Sequence, residues 1–143
     1  MLLMDVNILV YAHREDFEEH RRYRNWLHRK LTSAEPLGVA PLVLSGFLRT
    51  VTHPRIFATP TPLPDALQFA EQVSRSPNAV EVRAGPRHRD LFFRLCRQAG
   101  ATGNAIPDAY LAALAIESGC EWITEDRGFA RFEGLRWRPP DLD

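Results

Sequence analysis

The 143-residue sequence predicts an α/β fold: a three-layer α/β/α sandwich with a largely parallel central sheet. Short apolar runs at Leu2–Asp5, Leu37–Ala40 and Glu121–Thr124 read as buried strands. The stretches between them carry apolar residues at spacings of three and four, the helical period. The two patterns alternate from end to end with no repeat and no long linker, so residues 1–143 are expected to form one domain.

Leu2–Asp5 opens the chain as a strand, and Asn7 is placed to cap the helix that follows through Ile8, Leu9 and Tyr11, with a break near Glu15 and Asp16. Phe17–Leu31 is helical by its Tyr23, Trp26, Leu27, Leu31 spacing. After the strand Leu37–Ala40, Pro41 starts a helix reaching Val51, because a first turn has no use for the missing N–H. His53–Pro64 holds four prolines and reads as an irregular connection. Pro64–Ser74 is a helix and Ala79–Val82 a weak strand. Arg87–Ala99 is amphipathic and ends at Gly100; Pro107–Ser118, rich in Ala and Leu, ends at Gly119. A strand at Glu121–Thr124, a short helix at Arg127–Phe132 and a strand at Leu135–Trp137 complete the order.

Composition narrows the function. Apolar content of 45% and charged content of 25% are those of a globular chain. The opening run is too short to span a bilayer, carries Asp5 and has no basic leader, so a cytoplasmic protein without a membrane segment is expected. Cys96 and Cys120 have no metal-ligand spacing and are expected to be reduced. A net charge of zero gives no global electrostatic case for nucleic acid. Only Lys30 of the 18 basic residues is a lysine. A GC-rich genome explains that bias first, and the fitness of arginine for phosphate contacts second. The shortage does exclude phosphate-binding loops and phosphohydrolases that need a positioned lysine.

Three acids stand where a strand ends or a helix begins: Asp5, Asp108 and Asp126. Each alone is explained as a helix cap or a first-turn acid. Together they fall on the carboxyl edge of a parallel sheet, where ligands bind. Carboxylates gathered there repel unless a hard divalent cation, Mg²⁺ or Mn²⁺, lies between them. Such an ion supports hydrolysis of a phosphodiester. No serine-nucleophile motif, zinc-protease helix or glycine-rich phosphate loop competes. His20, His28 and His88 lie in charged stretches and are expected to be solvated.

Asp5-Val6-Asn7-Ile8-Leu9-Val10-Tyr11, Pro41 to Arg49, Pro107 to Ala115 and Thr124-Glu125-Asp126-Arg127-Gly128-Phe129 resemble, in order and spacing, PIN-domain ribonucleases. More narrowly they resemble the mycobacterial-type VapC toxins of toxin–antitoxin pairs, a resemblance extending to the closing Phe132-x-Gly134-Leu135-Arg136-Trp137. It implies a PIN fold and Mg²⁺- or Mn²⁺-dependent cleavage of RNA, frequently tRNA. It also implies neutralisation by a VapB-type antitoxin and, commonly, a homodimer. It carries acids onto Asp5, Asp108 and Asp126, with Asn7 and Thr124 as supporting or water-orienting polar positions.

One position departs from the family pattern. Gly46 stands where many PIN domains place a second acid. Glu117, nine residues past Asp108, falls on the opposite helix face, and Glu125 is expected to point away from Asp126. Arg49, one turn beyond Gly46, is placed to reach phosphate or an aspartate, with a plain surface arginine as the competing reading. Two other functions remain open: a weakened PIN-like module that binds RNA or an antitoxin, and a small-molecule phosphohydrolase, suggested by Asp5-x-Asn7 and opposed by the missing lysine. Ile56, Phe57, Tyr23 and Trp26 are candidates for an antitoxin groove, with core packing as the alternative.

Overall fold

Five parallel strands form the centre of the molecule in a computed structural model that describes Met1–Asp143. They are β1 (Leu2–Met4), β2 (Leu37–Val39), β3 (Ala79–Glu81), β4 (Glu121–Ile123) and β5 (Trp137–Arg138). Six α-helices connect them: α1 (Val6–His13), α2 (His20–Leu31), α3 (Pro41–Val51), α4 (Leu63–Ser74), α5 (His88–Ala99) and α6 (Ala105–Ser118). A single 3₁₀ helix, Arg127–Arg131, lies between β4 and β5. The three-layer parallel architecture expected from the sequence is the one observed.

The strand order β3-β2-β1-β4-β5 places β1 at the centre. The chain builds outward from β1 to β2 and β3, then returns to β1's other side to add β4 and β5. The order therefore reverses between β1 and β4, and a crevice opens there at the strands' carboxyl ends. Register fixes the two ends together: Leu2, Leu3 and Met4 pair with Glu121, Trp122 and Ile123, and Asp5 N donates to Ile123 O at 2.9 Å. Asp5 and Thr124 thus leave adjacent strands at the same level.

The core is continuous across both faces of the sheet and includes Trp26, Phe47, Trp122 and Phe129, all essentially inaccessible. Helix α3 begins with Pro41 at its first position and buries Val43, Phe47 and Val51. Helices α5 and α6 both end on glycines in the left-handed region, Gly100 and Gly119, as the sequence suggests.

Several boundaries move. Helix α2 begins at His20, with Phe17 in the turn before it, and α6 begins two residues before Pro107. The last strand is Trp137–Arg138, where pairing with Trp122 and Ile123 holds the chain. The cap of α1 is Asp5, whose carboxylate accepts from Val6 N at 2.6 Å; Asn7 lies inside the first turn. His88 is buried, with Nε2 3.0 Å from Tyr110 O and its ring centroid 4.2 Å from that of Tyr110. The charged neighbours point outward while His88 itself faces α6, which a count of nearby charges does not reveal. Tyr23, Trp26 and Phe57 are core residues, whereas Ile56 is half exposed. Cys96 and Cys120 are free thiols. No helix is long and apolar enough to cross a membrane.

Candidate active site

A cleft of about 930 Å³ lies at the crevice between β1 and β4. Asp5, Asp108 and Asp126 line it together with Asn7 and Arg49. Each acid arrives from a different element. Asp5 follows β1, Asp126 follows β4, and Asp108 projects from the first turn of α6. Helix α6 leads directly into β4, so its N-terminus lies at the carboxyl edge of the sheet.

Thr124 joins these residues from behind and is fully buried. Its hydroxyl donates to Asp5 Oδ2 at 2.6 Å. The same oxygen accepts from Asp126 N at 2.9 Å and from Asn7 Nδ2 at 3.3 Å. A hydroxyl has one proton and two lone pairs, so Thr124 is saturated. That saturation orients Asn7: its amide nitrogen must turn to Thr124, and its oxygen Oδ1 is left buried with no partner.

The carboxylates differ in environment. Asp5 is 7% exposed, and burial pushes its carboxyl up to about 6, against the pull of the Thr124 and Val6 hydrogen bonds. The charges of Asp108 and Asp126 push it in the same upward direction. Burial also raises Asp108, outweighing the attraction of Arg131, with Asp126 adding to the rise. Asp126 is exposed and caps the 3₁₀ helix, accepting from Gly128 N at 2.8 Å. Gly128 permits that approach, since a Cβ there would lie 2.9 Å from Asp126 Oδ1. Arg131 Nη2 reaches Asp108 Oδ2 at 2.9 Å.

The donor set suits a hard cation: three carboxylates and an orphaned amide oxygen, all oxygen, with no thiolate or imidazole among them. No three His, Cys, Asp or Glu side chains are drawn closely enough to close on one ion. Asp108 accepts from Arg131 and Asp126 from Gly128 N, each through one oxygen, and closing on one ion would bring the carboxylates nearer together than they stand here.

The position of Gly46 has a packing explanation. A Cβ there would lie 2.7 Å from Val6 Cγ2, so a side chain at this position requires the Val6 side chain or the α1–α3 contact to shift. Neither Glu117 nor Glu125 replaces the missing acid. Glu117 accepts from Gly85 N at 2.7 Å and Arg87 N at 2.8 Å, bracketing the entry to α5. Glu125 accepts from the Tyr23 hydroxyl at 2.5 Å on the α2 side. Arg49 lines the cleft, is exposed, and takes part in none of the ion pairs. Arg131 escapes a sequence reading because it is one of many arginines and its partner is 23 residues away.

Residues 2–135 match the PIN domain family. The chain is 49% identical over 140 residues to "VapC ribonuclease Mb2897" of Mycobacterium bovis, covering 98% of this chain and 95% of that one. It is 45% identical over 141 residues to "Ribonuclease VapC25" of Mycobacterium tuberculosis, covering 98% and 99%. Among solved structures, VapBC2 from Rickettsia felis bound to a promoter DNA fragment superposes with a TM-score of 0.69 at 17% identity, covering 99% of this chain and 100% of that one. VapBC-1 from nontypeable Haemophilus influenzae gives 0.66 at 14% identity, covering 97% and 98%. The two structures share the fold, and the two sequence relatives share the fold and nearly half their residues. The chain belongs to the PIN-domain family and, within it, to the VapC ribonucleases.

Proposed function

We propose that this ribonuclease is the toxin of a toxin–antitoxin pair and hydrolyses RNA phosphodiester bonds with Mg²⁺ or Mn²⁺ held by Asp5, Asp108 and Asp126. The observation that carries the proposal is the convergence of three carboxylates from three elements in one crevice, with Asp5 buried and without a cationic partner. A divalent cation there would activate water for in-line attack and offset charge on the phosphate. Thr124 and Asn7 hold the Asp5 side of the site in orientation. Arg49, free of ion pairs at the cleft, offers its planar fork to an RNA phosphate. Structured RNA such as tRNA is the proposed substrate, since single-stranded loops present accessible backbone.

A small VapB-type antitoxin is the proposed partner, a homodimer the proposed assembly and the cytoplasm the proposed location. The names of the relatives and of the structural neighbours support the first of these. Residues 1–143 are proposed to act as one domain.

A second reading has one observation in its favour. With Gly46 packed against Val6, no acid is supplied from α3, which suits a weakened module that binds RNA without cutting it. RNA cleavage assays with and without chelator separate the two. The leading proposal expects cation-dependent turnover that Asp5→Asn, Asp108→Asn and Asp126→Asn each abolish. RNA binding without turnover at any Mn²⁺ concentration supports the second.

A further inference from the structure

Asp108 is the only one of the three acids engaged by a cationic side chain, through Arg131 Nη2 at 2.9 Å. The main chain of Arg131 is fixed from the other side, because Gln98 Nε2 donates to its carbonyl at 3.0 Å and the next residue, Phe132, is buried. Its head group is held by a ring face and by one nitrogen. The guanidinium lies 5.0 Å from the Phe132 ring centroid, its side chain is 40% exposed, and a single nitrogen meets Asp108 in place of the two-pronged arginine–carboxylate fork.

Arg131 meets one oxygen of Asp108, Oδ2, and Oδ1 accepts no hydrogen bond, so what opposes a metal ion there is the positive charge of the guanidinium beside the same carboxylate. We infer that Arg131 is a positioning residue that competes with the divalent cation for Asp108: it holds the carboxylate in the cation-free protein and releases it when the ion binds. This rests on the cation-dependent reading of the cleft given above. The competition is graded, since a partly exposed ion pair is weak. It has a consequence for the substrate. An RNA phosphate drawing Arg131 away frees Asp108 for the cation, and a cation taking Asp108 frees Arg131 for phosphate. The two ligands therefore strengthen each other's binding through one ion pair.

Mn²⁺ titration calorimetry on the full chain without RNA tests the inference, comparing wild type with Arg131→Gln, Arg131→Lys, Arg127→Gln and Asp5→Asn. Arg127 belongs to the same 3₁₀ helix and enters no ion pair, so its variant removes an equal charge without releasing Asp108. Arg131→Gln is expected to tighten Mn²⁺ binding roughly threefold to tenfold. Arg131→Lys should remain near wild type, and Arg127→Gln should change affinity less than Arg131→Gln does. A merely structural ion pair would lower thermal stability without tightening the metal. Wild-type binding that Asp5→Asn abolishes but Arg131→Gln leaves unchanged or weakens overturns the role of Arg131 alone. Absence of Mn²⁺ binding by every variant overturns this inference and the cation-dependent reading together.

Discussion

The Thr124 hydroxyl donates to Asp5 Oδ2 at 2.6 Å, joining residues 119 apart in sequence across the gap between β4 and β1. The bond converts strand register into site geometry. Because Leu2–Met4 pairs with Glu121–Ile123, the residues that follow the two strands meet at the crevice. With its proton given to Asp5, Thr124 accepts from Asp126 N and Asn7, so one buried oxygen sets the directions of three residues of the cleft.

Thr124→Val keeps the shape and removes all three hydrogen bonds. It is expected to destabilise the protein by about 1–3 kcal/mol, the range for stranding buried polar partners. It should also raise the Asp5 carboxyl further, since the Thr124 bond holds it down. Thr124→Ser should preserve both properties. Chemical denaturation and the pH profile of RNA cleavage read the two effects.

Asp5 gives a pH dependence of definite sign. Its folded carboxyl, near 6, lies above the ordinary value of 3.8, so the folded chain binds this proton more tightly than the unfolded one. The favourable contribution of protonated Asp5 is fully present below about pH 4 and is lost as pH rises through about 6. Above that, metal-free protein carries an ionised buried acid at a cost of about 2–3 kcal/mol. Asp5→Asn should therefore flatten this stability change between pH 4 and 7 while removing activity. Unfolding in chelator across that range measures it, and an unaltered slope in the variant would count against a raised Asp5.

Gly46→Glu is expected not to restore a fourth acid. The new side chain meets Val6 Cγ2 at its first carbon, and relieving that contact by moving the Val6 side chain or the helix should cost about 1–3 kcal/mol. Mn²⁺ affinity should not improve. Denaturation and calorimetry on the same preparation report both quantities.

Arg49→Ala should weaken RNA binding while thermal stability stays essentially unchanged, because no ion pair depends on it. The slope of log affinity against log salt should fall by about 1, the signature of one lost phosphate contact. A binding isotherm series from low to moderate salt is sufficient.

The alternation of strands and helices is legible in the sequence because each period is local. The acids are legible because parallel strands end on one edge, so Asp5 and Asp126 are bound to be neighbours once β1 and β4 are adjacent. Their capping roles and their place in the cleft prove compatible, since Asp5 and Asp126 each cap a helix and line the crevice. What the sequence conceals is contact between distant residues. Nothing near Gly46 names Val6 as the residue that excludes a side chain, nothing near Asp108 names Arg131, and nothing near His88 reveals that it faces Tyr110. The departure at Gly46 is visible, but its cause lies in the approach of α3 to α1.

Asp5, Asp108 and Asp126 are proposed to hold one or more divalent cations. Anomalous diffraction from crystals soaked in Mn²⁺ locates any such ion. The expected result is a manganese peak in the cleft within ligating distance of carboxylate oxygens from at least Asp5 and Asp108, absent from Asp5→Asn crystals. A saturating soak that leaves the cleft without manganese, or places it away from these three side chains, would contradict the claim.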